Sequence, residues 1–338
     1  MHTGHLKQAG ELLLKAEKLA PYDNAIKHSR SELALKLAEN SRTALEKETH
    51  LREAARIAES IKGTRVNESH VYHTLVKVEL QRLESLLSPD TNDPTDDEIQ
   101  VVINRVERSL TAGLQQFPGD SYLLTAESKL ASLLQDSARV TESLSQAFNT
   151  NPRTGFIAIQ LSTIYQKQGK VAEAKLIFER ALNANRNDKS LHYRFAKHLL
   201  EYSPSSYDLI EYHLQRAFAP GDKNYDAKML YGRQLYIKGN RELSKSTFAE
   251  LKTAKIPPQQ RESLLYPMDD TFVGSIARIE GNYAYINKDR TNEWIYVHRR
   301  NIPDDLWKSL VMGARVRYKV AFNFHGPSAF DLKLESQS

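Results

Sequence analysis

Phe272-Val273-Gly274-Ser275-Ile276-Ala277-Arg278-Ile279 opens the stretch whose reading decides the fold. Gly281-Asn282-Tyr283-Ala284-Tyr285-Ile286-Asn287 follows, and after a polar turn comes Trp294-Ile295-Tyr296-Val297-His298. A helical crossover then leads to Gly313-Ala314-Arg315-Val316-Arg317-Tyr318-Lys319-Val320 and to Gly326-Pro327-Ser328-Ala329-Phe330-Asp331-Leu332-Lys333-Leu334. Five short runs of β-branched and aromatic residues, alternating and broken by turn residues, predict a small closed barrel. Everything before it reads as helix.

The alternation carries chemistry. Successive strand side chains point to opposite faces, so Tyr283 and Tyr285 share one face and Ala284 and Ile286 the other. Tyr296 and His298 likewise oppose Ile295 and Val297. With the aliphatic set inside, two neighbouring strands show three phenol rings and an imidazole to solvent, an arrangement that asks for a cover. Unpaired nucleic-acid bases supply one, at about 1–3 kcal/mol per stacked base and with little demand for sequence. Trp294 and Trp307 are read as packing residues.

These residues resemble a cold-shock domain, an OB-fold barrel. Gly-Asn-Tyr-Ala-Tyr-Ile stands where that family has its first ribonucleoprotein motif, and Ile-Tyr-Val-His where it has the second. Gly-Pro-Ser-Ala-Phe-Asp-Leu is similar to the family's last strand. The resemblance implies single-stranded RNA or DNA on the face of Tyr283, Tyr285, Tyr296 and His298, with Arg278, Lys288, Arg299 and Arg300 touching phosphates or stacking. Arg278 stands where the family has an exposed tryptophan, and Arg299 where it has an aromatic residue. Guanidinium planes stack on bases and add charge, so both exchanges are compatible with binding.

From Met1 to Pro258 the apolar pattern is helical and repeats. Ala147, Ala181, Ala217 and Leu251 follow one another at spacings of 34, 36 and 34, each preceded three residues earlier by Leu144, Phe178, Leu214 or Phe248. The clearest unit, Gly155 to Asp188, carries Leu161, Tyr165, Gly169, Ala174, Phe178 and Ala181; Pro118 and Pro152 stand 34 apart at unit ends. This is similar to a tetratricopeptide-repeat solenoid. Small residues such as Ala174 and Ala181 let paired helices approach, while Tyr165 and Phe178 fill the space between pairs. Before residue 121 the helices expected near 24–39, 43–62, 68–87 and 96–116 are longer and less regular. An acidic loop, Pro89 to Asp97, separates two of them and ends in a helix N-cap signal.

The expected organisation is mainly α: helical repeats over 1–258, best supported over 121–258, a linker over 259–270, and the barrel over 271–335. Ala9, Leu13, Ala16 and Pro21 read as the second helix of a repeat without its first. That suggests the C-terminal part of a longer protein, the alternative being an atypical capping helix. Repeats followed by such a barrel resemble the C-terminal halves of bacterial STAND-type defence or regulatory proteins.

Repeat arrays present a groove lined by the first helix of each pair. In this register successive groove positions are Lys129, Thr163, Lys197 and Arg233, with Arg194 close by, a basic stripe suited to an acidic peptide or a phosphate backbone. In the clearest unit the groove side reads Phe156, Ile159, Gln160 and Thr163.

Against this, enzyme chemistry finds little. The chain has no Gly-rich phosphate loop, no His-Glu-x-x-His helix and no cysteine. His192 and His198, six apart, lie on nearly opposite sides of one helix rather than forming a ligand pair. No catalytic residue, metal ligand or cofactor is assigned. Zero cysteines fit a reducing cytoplasm, and no apolar run is long enough to span a bilayer. A formal charge of +5 permits a nucleic-acid partner without demanding one. The expected function is recognition: nucleic acid on the barrel and a protein partner in the groove. The alternative is a protein scaffold in which the barrel is a structural or docking cap.

Overall fold

The structure, a computed structural model, describes residues 3–62, 69–88, 94–291 and 293–335. Residues 1–186 and 187–338 are two compact units.

The first unit holds α1 (Thr3–Leu19), α2 (Asn24–Glu39), α3 (Ala44–Ile61), α4 (His70–Leu86), α5 (Asp96–Gln116), α6 (Ser121–Leu133), α7 (Ser137–Thr150), α8 (Gly155–Lys167) and α9 (Val171–Ala184). They pack in consecutive pairs: α2 on α3, α4 on α5, α6 on α7 and α8 on α9. Local chemistry starts each helix. Asp23, Thr43, Asp120 and Asp136 accept hydrogen bonds from first-turn amides, and Thr95 and Glu98 form a reciprocal capping box on α5. Such caps contribute about 1 kcal/mol each by satisfying amides the helix leaves unpaired. Thr95 is therefore the N-cap expected at the end of the acidic loop, whose residues 89–93 lie outside the described residues.

The repeat period is visible in the packing. Ala147 and Ala181 are fully buried, with Leu144 and Phe178 almost as deep, so paired helices meet over small side chains. The turn within each of these pairs needs one left-handed residue: Gly169 has φ 74°, and Gln135, one period earlier, has φ 59°. Glycine adopts that conformation freely, whereas an L side chain there costs about 1–2 kcal/mol. The core of the longer, less regular pairs runs through Val76, Leu80, Leu83, Val106, Leu110, Leu123 and Leu130.

The second unit continues with α10 (Lys189–Tyr202), α11 (Tyr207–Arg216), α12 (Tyr225–Ile237), α13 (Arg241–Lys252) and the short α14 (Pro258–Glu262). It ends in β1 (Thr271–Glu280), β2 (Tyr283–Lys288), β3 (Trp294–His298), α15 (Asp304–Ser309), β4 (Arg315–Asn323) and β5 (Gly326–Leu334). The strands close into a barrel in the order β1-β2-β3-β5-β4. Ala284, Ile286, Ile295 and Val297 fill its interior at 0 % exposure, as alternation demands. Gly274 lies where β1 crosses β2 so closely that a Cβ would stand 2.5 Å from the Asn287 carbonyl oxygen.

The barrel is seated on α12 and α13. Phe322 of β4 packs edge-on to Tyr236 (centroids 5.4 Å apart) and parallel to Phe248 (6.3 Å). The Arg233 guanidinium lies 5.7 Å from the Phe322 ring and 6.0 Å from that of Tyr266. Leu265 and Phe322 exchange both backbone hydrogen bonds, tying the connecting segment to the barrel edge. The chain is thus mainly α, a tetratricopeptide-like helical-repeat protein with a five-stranded barrel at its C-terminal side. Among the described residues no helix is long and apolar enough to cross a membrane.

Candidate functional site

Two surfaces have the form of binding sites, one in each unit. The first is the outward face of β2 and β3. The antiparallel register sets Tyr283 opposite His298 and Tyr285 opposite Tyr296. The rings form one cluster, with centroids 5.8 Å apart for Tyr283–Tyr285 and for Tyr283–Tyr296, 5.9 Å for Tyr285–Tyr296 and 6.4 Å for Tyr296–His298. Trp294 joins it, 5.7 Å from Tyr285 and 54 % exposed. That corrects its reading as a packing residue. Alternation along β3 already places Trp294, Tyr296 and His298 on one face, and this was the signal to follow. Trp307 is half-buried on α15.

The flanking cations are placed unevenly. Arg278 reaches the tyrosine face because the register slips between Ile276 and Arg278, so that it stands opposite Tyr285. Without this bulge, strict alternation would put it on the buried side with Ile276. It pairs with Glu280, which also accepts a hydrogen bond from the Tyr283 hydroxyl. Arg299 pairs with Asp304 at 3.0 Å. Arg300 pairs with the Glu262 carboxylate and donates to its carbonyl at 3.0 Å. Lys288 sits elsewhere: its ammonium lies 4.1 Å from the centre of Phe272 and 6.0 Å from that of Tyr236, on the side of β2 away from the tyrosines.

Titration follows these surroundings. The hydrogen bond to Glu280 raises the Tyr283 hydroxyl, while burial and then Glu262 raise that of Tyr296. Burial, with Arg300 beside it, lowers His298, and burial lowers Lys288. The backbone N–H of Arg300 donates to His298 Nδ1 at 3.2 Å, so the neutral ring carries its proton on Nε2.

The second surface is a cleft of about 650 Å³ in the first unit, lined chiefly by α4, α6 and α8. Leu80, Ala126, Leu144 and Ile159 supply apolar lining, Thr163 and Gln160 polar points, and Lys77 and Lys129 basic ones. Tyr122 stands over it at 60 % exposure, stacked on His73 at 5.0 Å. His73 Nε2 lies 2.8 Å from Asp120 Oδ1. Burial lowers His73 despite this partner, so the ring is neutral near pH 7 and donates from Nε2. Burial works against ionised Asp120, but the Leu123 amide, Ser69 and His73 hold its carboxyl below the usual range.

The basic residues expected along the groove have different surroundings within their own units. Lys129 lines the cleft and pairs with Glu84 at 2.8 Å. In the second unit Arg194 is exposed, and Lys197 lies 5.8 Å from the Tyr193 ring. Arg233 donates to the Tyr266 carbonyl at 3.4 Å and faces the barrel junction, where burial lowers its pKa. Ile159, Gln160 and Thr163 do line the cleft, and neighbouring Phe156 is 46 % exposed. The sequence reading missed the partner of His192. Its Nδ1 lies 2.8 Å from that of His213 on α11, a relation between helices that spacing along α10 does not show.

No family model and no curated protein matches the sequence. Among solved structures the chain is similar to a thermophilic TPR protein of Thermus thermophilus, at 19 % identity over 58 % of this chain and 92 % of that one, with a TM-score of 0.43. It is similar to PilF of Pseudomonas aeruginosa at 17 % identity, over 67 % of this chain and 90 % of that one, with a TM-score of 0.45. A tetratricopeptide repeat protein of Parabacteroides merdae aligns at 12 % identity over 76 % and 89 % of the two chains, with a TM-score of 0.38.

Proposed function

We propose that this chain is a non-catalytic binding scaffold whose helical repeats hold a segment of a protein partner. The observation that carries this reading is the cleft across α4, α6 and α8, where apolar Leu80, Ala126 and Ile159 lie among polar points such as Gln160, Thr163 and Lys129. Burying apolar surface there drives association, while a few placed polar groups set the register of the bound segment. Peptides selected by display against the whole chain, then measured by fluorescence anisotropy, test it. Ala126→Arg and Thr163→Arg each fill the cleft with a long cation, and each is expected to weaken selected peptides at least about tenfold, as about 1.4 kcal/mol implies. Peptides that bind both variants as well as the parent chain would remove the cleft from the proposal.

A second reading concerns the barrel, and the contiguous rings of Tyr283, Tyr285, Trp294, Tyr296 and His298 favour it. Phe322 and Glu293, rather than these rings, meet Tyr236 of α12, which leaves the tyrosine face to a ligand. Single-stranded RNA or DNA is the ligand class that stacks on such a face, in keeping with the cold-shock resemblance. In this reading residues 1–258 are the docking array, 259–270 the linker and 271–335 the nucleic-acid module. Within a larger regulatory or defence protein of the STAND type, the pair would form the recognition half. Labelled single strands are expected to bind the chain and to be lost with Tyr283→Ala. Equal binding by that variant would make the barrel a structural or protein-docking cap.

A further inference from the structure

The tyrosine face is bordered by arginines that already have anions. Glu280 holds Arg278 and the Tyr283 hydroxyl at one edge. Glu262, on α14, holds Arg300 beside His298 and Tyr296 at the other, and Asp304 holds Arg299. Lys288 is turned beneath Phe272. A phosphate that took Arg278 or Arg300 would first have to displace a carboxylate, so the gain in charge neutralisation is close to zero. The rings carry no such penalty: Trp294 is 54 % exposed, and Tyr283, Tyr285 and Tyr296 are half-buried.

From this geometry we propose that the barrel face is a charge-compensated site that takes unpaired bases by stacking and draws almost nothing from the phosphate backbone, with Glu280 and Glu262 setting that balance. The proposal rests on the nucleic-acid reading of the barrel and adds the class of contact by which it selects. Duplexes, whose bases are already stacked, are poor ligands for such a face. Strands rich in exposed bases are good ones, whatever the ionic strength.

The test is fluorescence anisotropy of the full chain with labelled single strands of about twelve nucleotides across a salt series. Each phosphate neutralised on a single strand contributes a slope of about −0.7 in log K against log salt. The parent chain is expected to show a slope shallower than about −0.7, and no retention of an abasic strand of equal length. Glu280→Gln and Glu262→Gln each free one arginine and are expected to steepen the slope by about 0.7 and tighten low-salt binding several-fold. Their side chains are 33 % and 40 % exposed and the exchanges keep their shape, so the fold is retained, as circular dichroism will record. A parent slope of about −2 or steeper, binding of the abasic strand, or unchanged slopes in both variants would overturn the inference and leave the nucleic-acid reading standing. No binding by any form would overturn both.

Discussion

The Nδ1 atoms of His192 and His213 lie 2.8 Å apart, with the two residues 3 % and 5 % exposed. Only one proton fits between them, so one ring donates and the other accepts, and protonating both would set two N–H groups against each other. Burial first, then His192 and Arg216, lower His213 from 6.5 to about 4. A base whose folded pKa is depressed is stabilising where the unfolded form is also neutral, above 6.5. That stability is lost as pH falls from 6.5 towards 4, because there the unfolded chain binds the extra proton. The total at stake is about 3 kcal/mol at most. Urea unfolding between pH 7 and 4.5 is expected to show stability falling with acid, and His213→Asn to flatten that fall by up to about 1.4 kcal/mol per pH unit. Parallel curves for the two proteins would dismiss the pair as the cause.

That pair also marks what a sequence can and cannot say about this chain. Ala147 and Ala181 announced the repeat because a helix pair tolerates little else where its backbones meet. Ile286 and Ile295 announced the barrel because a strand has only two faces. Both constraints act along one element and leave a period in the sequence. His192 with His213, Arg300 with Glu262, and Arg233 with Phe322 join residues from different elements, and no period records them. Arg278 on the tyrosine face was expected from the resemblance and not from alternation: one extra residue in β1 reverses its face, and nothing in Ile276-Ala277-Arg278 signals the bulge. Hence the aromatic face was legible in the sequence, whereas the anions beside its arginines were not.

Arg233 gives a test of the barrel's seat. Its partners are a carbonyl at 3.4 Å and two ring faces, so its stem packs while its charge is held at a cost, as its lowered pKa records. Arg233→Met keeps the packing and removes the charge, and is expected to leave stability within about 0.5 kcal/mol of the parent. Arg233→Ala loses the packing and is expected to cost about 1–2 kcal/mol. Thermal unfolding separates the two, and equal losses would mean that the charge, not the stem, holds the junction.

Two glycines are expected to resist even a methyl group. A Cβ on Gly232 would stand 2.9 Å from Phe248, the ring that stacks on Phe322, and one on Gly274 would meet the Asn287 carbonyl at 2.5 Å. The ring can shift, but the backbone oxygen cannot without moving β2. Gly232→Ala is expected to cost about 1–3 kcal/mol and Gly274→Ala more, with loss of the β1–β2 register. Amide exchange in β2 reads the second effect directly, and protection equal to the parent's would contradict it.

Trp294 offers a direct view of the barrel face. The chain has two tryptophans, and the half-buried Trp307 can be silenced by Trp307→Phe, leaving an indole that is 54 % exposed and 5.7 Å from Tyr285. A base stacked on that ring quenches its fluorescence, whereas a strand held only through its phosphates leaves it nearly unchanged. Titration of the Trp307→Phe chain with single-stranded RNA or DNA is therefore expected to quench saturably. Tyr296→Ala should weaken the affinity by about 1–3 kcal/mol, the worth of one stacking partner. Because quenching and anisotropy report different things, their disagreement is informative. Anisotropy that rises while Trp294 emission stays constant would place the strand off the tyrosine face.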